Sequence, residues 1–235
     1  MTTRRPSISV VIPMFNEEAY ARRAVAAARE ALAETTEDWE VVAVDDASTD
    51  GTAALLDGLA RDEARLRVIH HPVNRRLGGS LRTGLAAATK ELVLYTDADL
   101  PADIGQLPRL VRLLEYQQAD LLAGYRFDRT GEGLRRALFA RTYNLMIRAL
   151  FGLRMRDVNF AFKLMRRSLL ERITLRSEGS FIDAELLLRA RAAGAHVIQM
   201  GVDYFPRRHG PSKLSSPAVV AGILREMARY WSERR

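Results

Sequence analysis

The sequence predicts an α/β protein: an open, mostly parallel sheet flanked by helices, with C-terminal amphipathic helices suited to an interface. Three observations predict it. Short β-branched runs alternate with longer Ala/Leu-rich segments through the first half, the pattern of parallel strands joined by crossover helices. Legible helix starts lie between those runs. Beyond residue 134 the apolar period lengthens to that of long helices.

Taken in order, the expected strands are Ile8–Ile12, Glu40–Val44, Leu66–His70, Leu92–Thr96 and Ala119–Ala123. After the first, Asn16 is positioned to cap a helix with Glu17 and Glu18 in its first turn, where carboxylates meet the positive end of the helix dipole. Ser48-Thr49-Asp50-Gly51 turns the chain into a helix over Thr52–Arg61, and Leu77-Gly78-Gly79-Ser80 turns it into Leu81–Ala88. The two later helices are expected over Leu134–Phe151 and Ala218–Arg234. In the first, Phe139, Met146 and Leu150 form an apolar stripe with Arg141 and Arg148 on the far side; in the second, Val219, Ile223, Met227 and Tyr230 share a face. Such helices either pack on the core or rest on a membrane surface. With no repeat, low-complexity tract or linker, residues 1–235 read as one domain.

Composition narrows the chemistry. Of 235 residues 48% are apolar and 28% charged, an ordinary globular balance. The absence of cysteine excludes disulfides, thiolate metal sites and a cysteine nucleophile, so any metal is held by oxygen or imidazole. The basic opening Met1–Pro6 precedes an apolar run too short for a signal peptide. No apolar stretch approaches the roughly 20 residues that span a bilayer. The expectation is a soluble or peripheral protein on the cytoplasmic side.

The net charge of +7 is unevenly placed. Residues 126–172 carry 12 Lys/Arg against 4 Asp/Glu, and 205–235 carry 7 against 2, while the remainder is net acidic. This positive charge is interleaved with Leu, Phe, Met and Ile and lacks a dense basic arm or aromatic platform, which argues against nucleic acid. Solvated helix faces are the plain alternative to a membrane role.

In an open parallel sheet, ligands bind beyond the carboxyl ends of the strands. Three of those ends lead into acids: Pro13-Met-Phe-Asn-Glu17, Val44-Asp45-Asp46-Ala-Ser-Thr-Asp50, and Thr96-Asp97-Ala98-Asp99. Carboxylates gathered on one edge repel one another unless a cation sits among them. Asp97 and Asp99, two residues apart after an apolar strand, suit a hard ion such as Mg²⁺ or Mn²⁺ bridging phosphate oxygens. Asp50 and Glu18 fit helix capping instead. His70, His71 and His196 show no metal-binding pattern, and His209 reads as a polar loop residue.

With these motifs, and with Gly124-Tyr-Arg126, Asp157-Val-Asn-Phe-Ala-Phe-Lys163 and Arg207-Arg-His-Gly-Pro-Ser-Lys213-Leu214, the sequence resembles the family 2 glycosyltransferases, specifically the polyprenyl-phosphate hexosyltransferase branch typified by dolichol-phosphate mannose synthase. The resemblance runs from about Ser9 to Leu214 and implies a GT-A fold. It implies that Pro13, Phe15, Glu17, Val44 and Asp46 hold the nucleoside of a nucleotide diphosphate sugar, GDP-mannose or UDP-glucose. It further implies that Asp97, Ala98 and Asp99 hold the sugar diphosphate and metal, and that Arg126, Arg207 and Lys213 meet phosphate. Its partners would be that donor, a polyprenyl phosphate acceptor, an anionic membrane surface and, in some cases, a separate membrane-embedded protein. The chain departs from the family pattern at Phe15, where Tyr is common, at Pro101, where a polar metal contact is common, and at Ala161-Phe162-Lys163, where the family has Gly-Phe-Arg. Asp103 or water would then fill the place that Pro101 cannot.

The expected reaction moves a hexose from that donor to the lipid phosphate with inversion. A metal at Asp97 and Asp99 would stabilise the departing nucleoside diphosphate, while Arg126, Arg207 and Lys213 would let two anions approach. An ionised phosphate needs no general base. A soluble hydroxyl acceptor, the alternative, needs proton removal, for which Glu185 is the candidate beside a plainer role as a helix acid. A noncatalytic regulator that uses the basic face is the third reading.

Overall fold

Apolar runs buried on both faces form the centre of the structure, a computed structural model that describes residues 5–128, 134–206 and 217–233. One sheet contains β1 (Ile8–Met14), β2 (Trp39–Asp45), β3 (Leu66–His70), β4 (Leu92–Thr96), β5 (Leu121–Arg126), β6 (Phe162–Arg166) and β7 (Val197–Val202). Their order in space is β3-β2-β1-β4-β6-β5-β7. Every pair is parallel except those of β6, which runs antiparallel to β4 and β5.

The helices are α1 (Glu18–Thr35), α2 (Thr52–Asp62), α3 (Arg76–Ala87), α4 (Leu107–Tyr116), α5 (Leu134–Phe151), α6 (Arg167–Arg172), α7 (Ile182–Ala192) and α8 (Pro217–Glu233). Side chains alternate across a strand, so β1 feeds two cores. Ile8, Val10 and Ile12 join α1, α2 and α4 on one face, while Val11 joins α3, α5, α7 and α8 on the other.

Four strands fall where the sequence places them; the rest of the sheet differs. The fifth begins at Leu121 and runs to Arg126, which puts that arginine on the sheet edge. β6 and β7 were not expected, because Lys163 and Arg166 interrupt one and Gln199 and Gly201 the other. α3 starts at Arg76, not Leu81. Gly78 and Gly79 lie inside it where space is short: a Cβ on Gly78 would lie 2.3 Å from the Ser177 carbonyl oxygen, and one on Gly79 would meet the Arg75 and Glu178 side chains. Asn16 does not cap α1. Its φ of 52° places it in the left-handed region, Glu17 takes the capping position, and the Asn16 side chain turns to Thr49 instead.

The long helices pack inward, with a shifted stripe on α5. Among its described side chains Ile147 and Phe151 are buried, with Tyr143 and Met146 packed against the same core, whereas Leu150 is 42% exposed. The Phe139 side chain lies outside the described residues, and Arg141 and Arg148 are exposed as expected. Of the expected α8 face, Met227 and Tyr230 are buried and Ile223 packs beside them, while Val219 is half-buried and outside that core cluster. Tyr230 meets Phe151 and Phe181 edge-on at centroid distances of 5.6 and 5.8 Å, which joins α5, α7 and α8. The outer faces of the two helices nonetheless expose Leu138 and Leu145 (66% each) and Val220, Leu224 and Trp231. Among the described residues no helix is long and apolar enough to cross a membrane.

Helix-to-sheet distance is set partly by Gly84 of α3, where a Cβ would fall 2.4 Å from Val11 Cγ1. Gly84→Ala forces α3 off β1 and is expected to destabilise the protein by about 1–3 kcal/mol, measured by denaturant unfolding.

Candidate active site

Parallel pairing brings the ends of β1 and β2 together, with Met14 opposite Asp45. The two loops that follow are tied across the gap. Ser48 Oγ accepts from the Asn16 amide (2.9 Å), Asn16 Oδ1 from the Thr49 amide (2.7 Å) and Thr52 Oγ1 from the Glu17 amide (2.9 Å). Glu18 and Asp50 exchange bonds with each other's helix start: Asp50 accepts from the Glu18 amide and Glu18 from the Gly51 amide. Their reading as helix-start acids is sound, although each serves the neighbouring helix as well. Pro13 is buried, Phe15 half-buried, and Glu17 buried beneath them. Val44 is wholly buried, its side chain packed in the core beneath Gly84, so it offers no exposed surface to a ligand.

Each acid of the β2 pair has its own imidazole. Asp45 Oδ2 lies 2.9 Å from His70 Nδ1, and Asp46 Oδ1 lies 2.6 Å from His71 Nδ1. Asp46 Oδ1 also accepts from the Arg75 amide (2.8 Å), which anchors the start of α3. The hydrogen bond to Asp45, assisted by Asp57, holds the His70 pKa above 6.5 against partial burial.

Beyond β4 the balance changes. The Tyr95 hydroxyl donates to Asp97 Oδ1 (3.2 Å). Burial, then the nearby Asp99 and Asp183 charges, push the Asp97 carboxyl well above the usual range, while Tyr95 and Lys163 act in the other direction. A site that resists its own negative charge in this way, built from carboxylate oxygens, fits a divalent cation. Among the described residues no group of three or more acidic or imidazole ligands converges. Asp97 and Asp99 would therefore hold a metal together with phosphate oxygens of the substrate and water, the usual arrangement for Mg²⁺. Asp103 does not fill the place left by Pro101: its Oδ1 accepts from the Gly105 amide and caps a short 3₁₀ turn.

Behind these acids lies a pair the sequence did not suggest. Lys163, the fully buried second residue of β6, donates to Asp183 Oδ1 (2.5 Å) and to the Phe160 carbonyl (2.7 Å). A lysine inside an apolar run was the available signal, since a buried ammonium requires a partner. Glu185 is not a general base: its carboxylate is buried and accepts from the Arg176 and Ser177 amides and from Arg189 Nε (2.6 Å).

Arg126 reaches the same edge from β5. Its Nε and Nη2 grip Asp157 bidentately at 2.7 and 3.0 Å, and the guanidinium lies over Phe160 and Tyr204. Tyr204 bridges to Ala102, just past the Asp97–Asp99 turn. Arg207 and Lys213 lie outside the described residues, as does His209.

An open α/β sheet with acids and cations assembled at the carboxyl ends of its strands is the GT-A architecture of nucleotide-sugar enzymes. Residues 9–174 match the model described as glycosyl transferase family 2, and the chain belongs to that family. It is similar to glycosyltransferase AglD of Haloferax volcanii (29% identity over 98% of this chain and 39% of that protein). It also resembles dodecaprenyl-phosphate galacturonate synthase of Rhizobium johnstonii (28%, 88% and 61%) and undecaprenyl-phosphate 4-deoxy-4-formamido-L-arabinose transferase of Pseudomonas aeruginosa (31%, 89% and 60%). The chain thus spans between 39% and 61% of the length of these curated relatives. Among solved structures, glucosyl-3-phosphoglycerate synthase of Mycobacterium tuberculosis with Mn²⁺ and UDP-glucose superposes with a TM-score of 0.72 (22% identity, 97% of this chain and 78% of that one). Mannosyltransferase PcManGT of Pyrobaculum calidifontis with GDP-Man and Mn²⁺ gives 0.62 (24%, 88% and 59%).

Lys163→Met strands the Asp183 carboxylate in the interior and is expected to cost about 3–5 kcal/mol, with most of that recovered in Lys163→Met/Asp183→Asn, as read from unfolding midpoints. His70 has a folded pKa raised above 6.5, so its stabilising contribution is complete below 6.5 and is lost as pH rises through the higher folded value. His70→Gln should flatten that part of the stability–pH curve.

Proposed function

We propose that this chain transfers a hexose, mannose or glucose, from a nucleotide diphosphate sugar to a polyprenyl phosphate at the cytoplasmic membrane surface, with inversion at the anomeric carbon. The observation that carries the reading is the Lys163–Asp183 pair. A hydroxyl acceptor has to lose a proton, yet Asp183, the carboxylate beside Asp97 and Asp99, is held by an ammonium at 2.5 Å. A phosphate acceptor is already ionised and needs only to be brought into place.

On this reading the loops after β1 and β2 hold the nucleoside, with Phe15 as stacking face and the Asp46 loop as the polar side. GDP-mannose and UDP-glucose both suit it. A phosphate oxygen of the acceptor attacks the anomeric carbon as the bond to the donor's β-phosphate oxygen breaks, and the electron pair leaves with the nucleoside diphosphate. Asp97 and Asp99 would hold Mg²⁺ or Mn²⁺, which when bound would supply Lewis-acid stabilisation of that leaving charge. Arg126, Arg207 and Lys213 offset the repulsion between the two phosphate-bearing reactants. The exposed apolar residues of α5 and α8, flanked by Arg141, Arg148, Arg225 and Arg229, suit an anionic bilayer, alone or beside a membrane-embedded subunit.

The test is a panel of nucleotide sugars with short-chain polyprenyl phosphates and Mn²⁺, products followed by mass. Turnover with the phosphates that stops with chelator is expected, and Asp99→Ala should lower it by at least about 10²-fold. Turnover confined to soluble hydroxyl acceptors would overturn the reading. Co-sedimentation with anionic vesicles that weakens as salt rises is expected of the membrane face; no binding at low salt removes that part.

A further inference from the structure

Arg126 stands apart from the donor end of the site. β5 lies two strands beyond β4 in the sheet, about 10 Å at the usual ~4.8 Å strand spacing, and on the side away from β1 and β2. A cation there faces whatever approaches the donor from beyond its diphosphate. Its orientation depends on Asp157, which is 3% exposed and takes two of its N–H groups.

Asp157 is itself held from α5. Asn144 Nδ2 donates to the Arg156 carbonyl (3.0 Å), and Asn144 Oδ1 accepts from the Val158 amide (3.1 Å). These two bonds bracket Asp157, so one side-chain amide fixes the backbone on both sides of it. From the other direction Gln199 of β7 accepts from the Arg156 amide (2.8 Å), and Arg156 Nη1 donates to the Tyr125 hydroxyl (2.7 Å). Asn144 reaches this turn from α5, and its neighbour Leu145 lies on the exposed face.

We infer that Asn144 is a positioning residue which sets the Arg126 guanidinium toward the acceptor phosphate by bracketing Asp157. The inference rests on the phosphate-acceptor reading above and deepens it: α5 connects the face offered to the membrane with the cation that receives the lipid phosphate. Loss of the amide lets the 156–158 turn relax, and Asp157 no longer orients the Arg126 fork. Small misplacements of a positioned group are costly in rate even when the protein stays folded.

The experiment measures steady-state kinetics of the full chain with a short-chain polyprenyl phosphate in detergent micelles and the nucleotide sugar that turns over in the panel. Asn144→Ala is expected to raise the acceptor KM by about tenfold while nucleoside diphosphate binding with Mn²⁺ stays within about twofold. Asn144→Asp keeps the acceptor for the Val158 amide and is expected to fall between the two. In an Arg126→Ala background Asn144→Ala should add nothing further, since both changes act through one group. Additive effects in that cycle, or an equal loss of nucleoside diphosphate binding, overturn the inference even where the parent enzyme is active. Failure of the parent chain to use any polyprenyl phosphate overturns the functional reading on which it rests.

Discussion

Carboxylates crowded at the carboxyl ends of parallel strands are the constraint that organises the rest of the molecule. Four buried acids near that edge are answered locally: Asp45 by His70, Asp46 by His71, Asp157 by Arg126 and Asp183 by Lys163. At Asp97 burial and the nearby Asp99 and Asp183 charges act together against the ionised form. The fold thereby gathers negative charge at one point, where a divalent ion and a diphosphate would be most welcome.

The single reversed strand makes this possible. β6 runs against its neighbours, so its first residue, Phe162, lies opposite Thr96 at the same edge as Asp97. The 156–161 turn that precedes it is delivered there too, bringing Asp157 under Arg126 and the Phe160 carbonyl to Lys163. An all-parallel sheet would have placed that turn at the far end.

Much of this was legible in the residues alone. Asp97 and Asp99 could be read because their spacing and the apolar run before them are local, and four strands because β-branched runs bounded by turn residues announce themselves. The partners were hidden for the opposite reason. Lys163 and Asp183 are 20 residues apart, Arg126 and Asp157 are 31 apart, and only the sheet order brings them together. Polar residues within β6 and β7 masked both strands. The α5 stripe was displaced because Tyr143, Ile147 and Phe151 match the core while Leu138, Leu145 and Leu150 do not face it. Asn16 misled because its side chain, ordinarily a cap, here stitches two loops.

The ring cluster of Phe151, Phe181 and Tyr230 limits how the two long helices can behave. Pinned at that junction, neither is a free arm able to swing down and scoop a lipid from its leaflet. In the proposed reaction α5, α7 and α8 would therefore approach the headgroups together, and the reach of the site would depend on how deeply those helices bed into them. Discrimination among lipids would then fall on the first few carbons lifted with the phosphate, leaving the remainder of the tail unread.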